Sequence, residues 1–142
     1  MAFDGNGGCE ILLKDAFKGE GGWAAGTRYT QKGNWATYST YTAGREVTLY
    51  AGQTMAAGSV AFSAVDGDGK VTITITLNPG WFFNEVSGNV KIQDYATAPS
   101  GNPSPGRFTS KGYATKSPFS IKVPSNKFYG VYVDLLHVDL FH

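Results

Sequence analysis

His137 is the side chain with the most immediate chemical potential. It stands between Asp134 and Asp139. In an extended strand His137 and Asp139 project to the same side, so a histidine–carboxylate pair is available. A Ser-His-Asp or Cys-His hydrolase needs such a base within hydrogen-bond reach of its nucleophile. No G-x-S-x-G turn accompanies it, and the other histidine, His142, is terminal. The single cysteine, Cys9, cannot form an intrachain disulfide. It reads as a small buried hydrophobe near the first strand, with an intermolecular bridge or a nucleophile as the alternatives. Asp66 and Asp68 begin like a calcium loop, but Lys70 takes the third ligand position and Leu77 stands where the closing Glu belongs. Glu46, Glu85, Asp94 and Asp134 form no pattern that opposes two carboxylates across a glycosidic bond. The chain therefore reads as non-enzymatic, with no catalytic residue, no metal site and no cofactor.

The aromatic residues make a stronger case, and it is a case for binding. Trp23, Tyr29, Trp35, Tyr38 and Tyr41 fall within twenty residues rich in Gly, Thr and Asn. A sugar stacks its apolar face on an aromatic ring while its hydroxyls meet amide and hydroxyl side chains. The candidate carbohydrate-binding set is Trp23, Gln31, Asn34, Trp35 and Tyr38. The competing use for large aromatics is to fill a core, as Trp81, Phe82 and Phe83 are expected to do in part.

The elements that position these residues are strands. Val71 to Leu77 alternates apolar and threonine side chains, which puts Val71, Ile73, Ile75 and Leu77 on one face. Asp66-Gly67-Asp68-Gly69 supplies turn chemistry between that run and Val60 to Val65, so the unit predicts a β-hairpin. Arg45 to Tyr50 and Phe119 to Val123 alternate in the same way. Lys18 to Gly22 (KGEGG) reads as a break, and Ala96 to Gly106, with three prolines, as a long surface loop. The sequence predicts an all-β fold: one antiparallel β-sandwich of immunoglobulin-like or jelly-roll character, with about eight or nine strands. Residues 1–8 read as a flexible Gly-rich arm and 9–142 as the sandwich domain.

The closing run, Phe128 to Phe141, suggests assembly. It is apolar, carries only Asp134 and Asp139 as charges, and has neither the Lys nor the Pro that protect natural strand edges. Val131, Val133 and Leu135 share one face; Leu136, Val138 and Leu140 share the other. That change of phase predicts a bulge or a strand crossing between sheets. A strand that adds to a neighbour's sheet head-to-tail gives an open filament. Val131, Tyr132, Val133, Leu136, Val138 and Leu140 are the candidate self-association residues; the alternative is an interior strand paired on both sides within one domain.

Cys9-Glu10, Gly33-Asn34-Trp35, Leu49-Tyr50-Ala51-Gly52-Gln53, Gly58 with Val71 to Thr76, Gly80-Trp81, and the run from Ala98 to Phe108 (APSGNPSPGRF) occur in an order that resembles a family of secreted bacterial and archaeal β-sandwich domains. The resemblance spans most of the chain and implies an extracellular or cell-surface β-sandwich. Relatives carry more cysteines than this chain does. The first eight residues lack the basic start and apolar core of a signal peptide, so the extracellular reading is of a mature form. The net charge is +1 with scattered Lys and Arg, which argues against nucleic acid. No apolar run reaches transmembrane length. The leading expectation is a non-catalytic structural or adhesive protein that forms a homo-oligomer or filament through strand contacts. A lectin-like module that binds polysaccharide is the alternative. A small pore-forming toxin, suggested by the amphipathic hairpin Ser59 to Leu77, is more distant.

Overall fold

The computed structural model describes residues 17–138, and its order there is β throughout. Eleven strands follow one another: β1 (Phe17–Ala24), β2 (Thr27–Arg28), β3 (Thr37–Thr40), β4 (Glu46–Ala51), β5 (Met55–Phe62), β6 (Lys70–Leu77), β7 (Trp81–Phe83), β8 (Val90–Tyr95), β9 (Ser110–Gly112), β10 (Phe119–Pro124) and β11 (Phe128–Val138). A single 3₁₀ turn, Pro105–Arg107, lies in the proline-rich loop. All pairings are antiparallel. The all-β antiparallel sandwich is as expected. The strand count exceeds eight or nine because β2 and β9 are rungs of two or three residues, too short to show a period, and because β1 runs through a segment whose glycines read as a break.

One run of strands follows the order β10-β6-β5-β4-β1-β11. From β11 a second group spreads: β3 and β2 continue along the edge that β1 leaves, while β7 and β8 occupy the opposite edge, and β9 adds to β8. The inner faces meet in one core. Leu49, Val60, Phe62, Val71, Ile73 and Ile75 pack with Val90, Ile92, Tyr129, Val131, Val133 and Leu135. In β6 the predicted face is buried at Val71, Ile73 and Ile75.

Two sequence expectations change here. KGEGG is not a break but the body of β1. Its glycines let β11 side chains come close: a Cβ on Gly21 would lie 2.8 Å from the Tyr132 hydroxyl, and one on Gly22 2.8 Å from Leu135 Cδ1. Glycine in a strand marks close approach, and sequence alone cannot tell that from a turn. The closing run is also not an edge. β11 bonds β1 from Tyr132 to Val138 and β3 at Phe128 and Tyr129 on one side. On the other it bonds β8 from Phe128 to Val133 and β7 from Leu135 to His137. Its amide and carbonyl groups are already partnered, so β11 has no free edge to lend another chain. No bulge interrupts it either; Tyr129, Val131, Val133 and Leu135 alternate inward without a slip.

Val131 and Val133 are fully buried and cannot form a subunit contact. Tyr132 is half-buried, its hydroxyl donating to Asp134 at 3.0 Å. Burial, followed by the charge of Asp134, pushes its phenol up to about 12. Leu136 and Val138 do reach the outer face, across from Phe82 and Phe17. The two rings meet edge-on at 5.8 Å, and Phe82 is 47 % exposed. Leu140, Asp139, His142, Cys9 and the Gly-rich arm lie outside the described residues.

The Asp66 carboxylate organises the hairpin turn. Asp66 Oδ1 accepts the N–H groups of Asp68 at 2.8 Å and Lys70 at 3.0 Å. Gly69, at φ +73°, closes the turn. Those bonds, Lys70 first and Asp68 next, hold the Asp66 carboxyl below its ordinary value. A depressed carboxyl contributes stability that is present above the ordinary carboxylate pKa of about 4 and is lost as pH falls through the folded value. Asp66→Ala is therefore expected to lower Tm at pH 6, with the two melting curves converging towards pH 2. A gap that stays constant across that range would contradict this account.

Candidate functional site

The aromatic segment divides between a second core and the surface. Trp23 and Tyr38, two of the candidate sugar-binding residues, are 4 % and 7 % exposed. They pack with Tyr29, Ala36 and Phe108 on the outer side of β1, β3 and β11. Trp23 meets Tyr29, Phe108 and Tyr132 edge-on, with ring centres 5.2 to 6.0 Å apart. Tyr29 and Tyr95 share a hydroxyl–hydroxyl bond of 3.0 Å. Burial, reinforced by that bond, raises the Tyr29 pKa far above the phenol range. These rings close a small core under the proline-rich loop, and no saccharide reaches Trp23 or Tyr38. Nothing in their spacing separates them from the exposed ring, because which side of β3 is covered depends on a loop some seventy residues away.

Trp35 is different. It is half-buried and lines a cleft of about 230 Å³ together with Ala25, Gly26, Arg28, Thr37, Tyr50 and Gln53. Three separate segments build this cleft: the β1–β2 connection, the approach to β3, and the end of β4 with its turn into β5. Each is held locally. Asn34 Oδ1 accepts the Ala36 N–H at 3.0 Å, which fixes the backbone on both sides of Trp35. Arg28 Nη2 donates to the Asn34 carbonyl at 3.1 Å. Thr37 Oγ1 donates to the Ala24 carbonyl at 2.6 Å, so its hydroxyl is oriented. Gly26 runs so close to β3 that an added Cβ would collide with the Tyr38 carbonyl oxygen.

On the far wall, Tyr50 is 36 % exposed. A register shift between Leu49 and Tyr50, facing β5, marks a bulge beside it. Gln53 is the one non-glycine residue at positive φ, +77°, among those described. An L-residue held left-handed costs about 1–2 kcal/mol, and such strain gathers at binding sites.

Asn34 thus acts as a positioning residue and Trp35 as a wall. Gln31 is exposed on the preceding loop and does not line the cleft. Arg28, Thr37, Tyr50 and Gln53 were missed. The Leu49-Tyr50-Ala51-Gly52-Gln53 motif was visible, but it read as a strand end, and its meeting with Trp35 is a product of the sheet order.

The candidate catalytic groups are engaged elsewhere. His137 stacks on Trp81 with ring centres 4.6 Å apart, and its Nε2 lies 3.7 Å from Glu20 Oε2. Among the described residues the carboxylate beside it is that of Glu20, on β1. Asp134 accepts from Lys91 at 3.1 Å and from Tyr132. Asp94 accepts from Asn126 at 2.9 Å. Among the described residues no group of three or more His, Cys, Asp or Glu side chains is placed to hold a metal ion. No described helix is long and apolar enough to cross a membrane. Comparison with family models, with curated proteins and with solved structures found no match.

Proposed function

We propose that this protein is a non-catalytic carbohydrate-binding module whose ligand lies in the cleft between Trp35 and Tyr50. The carrying observation is the lining itself: two accessible aromatic rings beside an oriented threonine hydroxyl, a glutamine amide and a guanidinium. A pyranose ring has the same division, with an apolar face and an equatorial belt of hydroxyls. Among the described residues no carboxylate or histidine lines the cleft, so none of them offers a general acid or base to a glycosidic bond there. The cleft holds about one sugar ring and is open on one side, which suits one unit of a longer chain. An extracellular setting belongs to the same proposal and is supported by the resemblance of the motifs to secreted β-domains.

Strand-mediated filament formation loses its main support because β11 is paired on both edges. The outer patch of Phe17, Phe82, Leu136 and Val138 remains, but nothing in the structure shows what covers it.

Trp35→Ala is expected to weaken saccharide binding at least about tenfold while leaving the melting temperature within a few degrees. The measurement is isothermal titration calorimetry with oligosaccharides, after a glycan array has supplied the binders. A wild type silent on the array, or a variant that binds as well as wild type, would sink the proposal.

A further inference from the structure

We infer that the saccharide this cleft selects is anionic, a uronate whose carboxylate is received by Arg28. This rests on the carbohydrate reading and narrows it.

Among the described residues Arg28 is the sole side chain with a permanent charge in the lining. Among the described residues no carboxylate pairs with it; the ion pairs join Lys91 to Asp134, Lys122 to Asp66 and His137 to Glu20. The acid nearest the far turn is Glu20, whose Oε1 would lie 3.2 Å from a Cβ on Gly52, and its other oxygen faces His137. Arg28 is exposed, and its guanidinium is tethered at one point. One Nη2 bond to the Asn34 carbonyl holds it beside the cleft, and the same Asn34 holds the turn that carries Trp35. A guanidinium has five N–H donors, so an anchoring bond to one carbonyl leaves most of the fork open. A tethered, unpaired fork matches a planar carboxylate in two parallel bonds.

The geometry of a uronate suits the rest. Its carboxylate sits on the ring edge, so a ring lying against Trp35 or Tyr50 presents that group sideways, towards the rest of the lining, to which Arg28 belongs. Thr37 and Gln53 remain for its hydroxyls. A neutral sugar in the same place would leave the guanidinium partly desolvated with no countercharge, which costs binding energy. Charge-assisted bonds contribute more than neutral ones, enough here for about tenfold discrimination or better.

The test compares two probe sets on the full chain: uronate oligosaccharides (oligogalacturonate, oligomannuronate, hyaluronan fragments) and neutral ones (cello-, xylo-, manno- and chito-oligosaccharides). Wild type, Arg28→Gln and Arg28→Lys are titrated by the shift of the Trp35 indole N–H resonance, with far-ultraviolet dichroism confirming the fold of each variant. The expected result is binding of at least one uronate that weakens tenfold or more in Arg28→Gln, less in Arg28→Lys, and falls with added salt. Neutral oligosaccharides that bind as tightly as uronates, or uronate binding untouched by Arg28→Gln, would overturn the anionic assignment and leave the saccharide cleft standing. If neither set moves the Trp35 resonance, both readings fall.

Discussion

Gly58→Ala is expected to destabilise the protein by about 3 kcal/mol, at the upper end of what overpacking costs. Gly58 lies opposite Leu77 in the β5–β6 ladder, just past the bulge that faces Tyr50. An added Cβ would run into the Thr76 carbonyl oxygen, with Leu77 Cα at 2.9 Å and the Thr76 carbonyl carbon at 3.0 Å. All three are backbone atoms of a central strand. None can rotate away, so the ladder itself must open. Gly67 is the matched control, since nothing lies within 4 Å of a Cβ placed there. Gly67→Ala should stay within about 0.5 kcal/mol of wild type. Denaturant unfolding of the two variants side by side reads the difference as a shift in midpoint at constant slope. Equal midpoints would mean that β5 and β6 tolerate separation, against the packing described above.

Asn89→Ala should cost as much or more, about 3–5 kcal/mol, by a different route. Asn89 is fully buried. Its Nδ2 donates to the Asn84 carbonyl at 3.0 Å and to the Ala114 carbonyl at 2.8 Å, while its Oδ1 accepts the Ala114 N–H at 2.8 Å. The side-chain amide thus imitates a peptide group and completes the pairing of Ala114, which is itself fully buried. Truncation leaves the Ala114 N–H and carbonyl without partners and out of reach of water, at about 1–3 kcal/mol each. It also opens a small void. Asn89→Asp keeps the volume but aims a carboxylate at two carbonyls, so it should not rescue. The amide of Ala114 should lose its protection from hydrogen exchange in Asn89→Ala. A variant that melts within 1 kcal/mol of wild type with Ala114 still protected would refute this role.

Much of the fold could be read from side-chain alternation, and the exceptions share a cause. β6, β10 and β4 each bury one face, so period two shows in their sequences. β1 could not be recognised, because its glycines are a response to Tyr132 and Leu135 more than a hundred residues away. β11 was legible as a strand, but its sequence left open whether it is an edge or an interior one. Interior and edge strands differ in their partners, and partners are not written in the strand. The second core misled for a related reason. Trp23 and Tyr38 lie on the outward side of the sheet, where a sugar-binding ring would also lie, until the proline-rich loop covers them. Trp35, which lines the cleft, was among the candidates read from the sequence, as was Asn34, which holds the backbone around it. Arg28, Tyr50 and Gln53 joined them only through the order in which β1, β3 and β4 assemble. Gln53 carried the faintest usable sign, a bulky residue after Ala-Gly at a position that the backbone holds left-handed.

The pairing of β1 with β11 has a mechanical consequence. Phe17 and Val138 are the first rung of that ladder, and Trp23 with Tyr132 the last. A pull applied between positions 17 and 138 therefore loads one rung at a time, as in opening a zipper, rather than shearing seven rungs together. The cleft begins at Ala25, roughly 25 Å further along β1 at 3.3 Å per residue. Tension would peel the seam from the end remote from the cleft, and the walls of the cleft would be the last thing it disturbed.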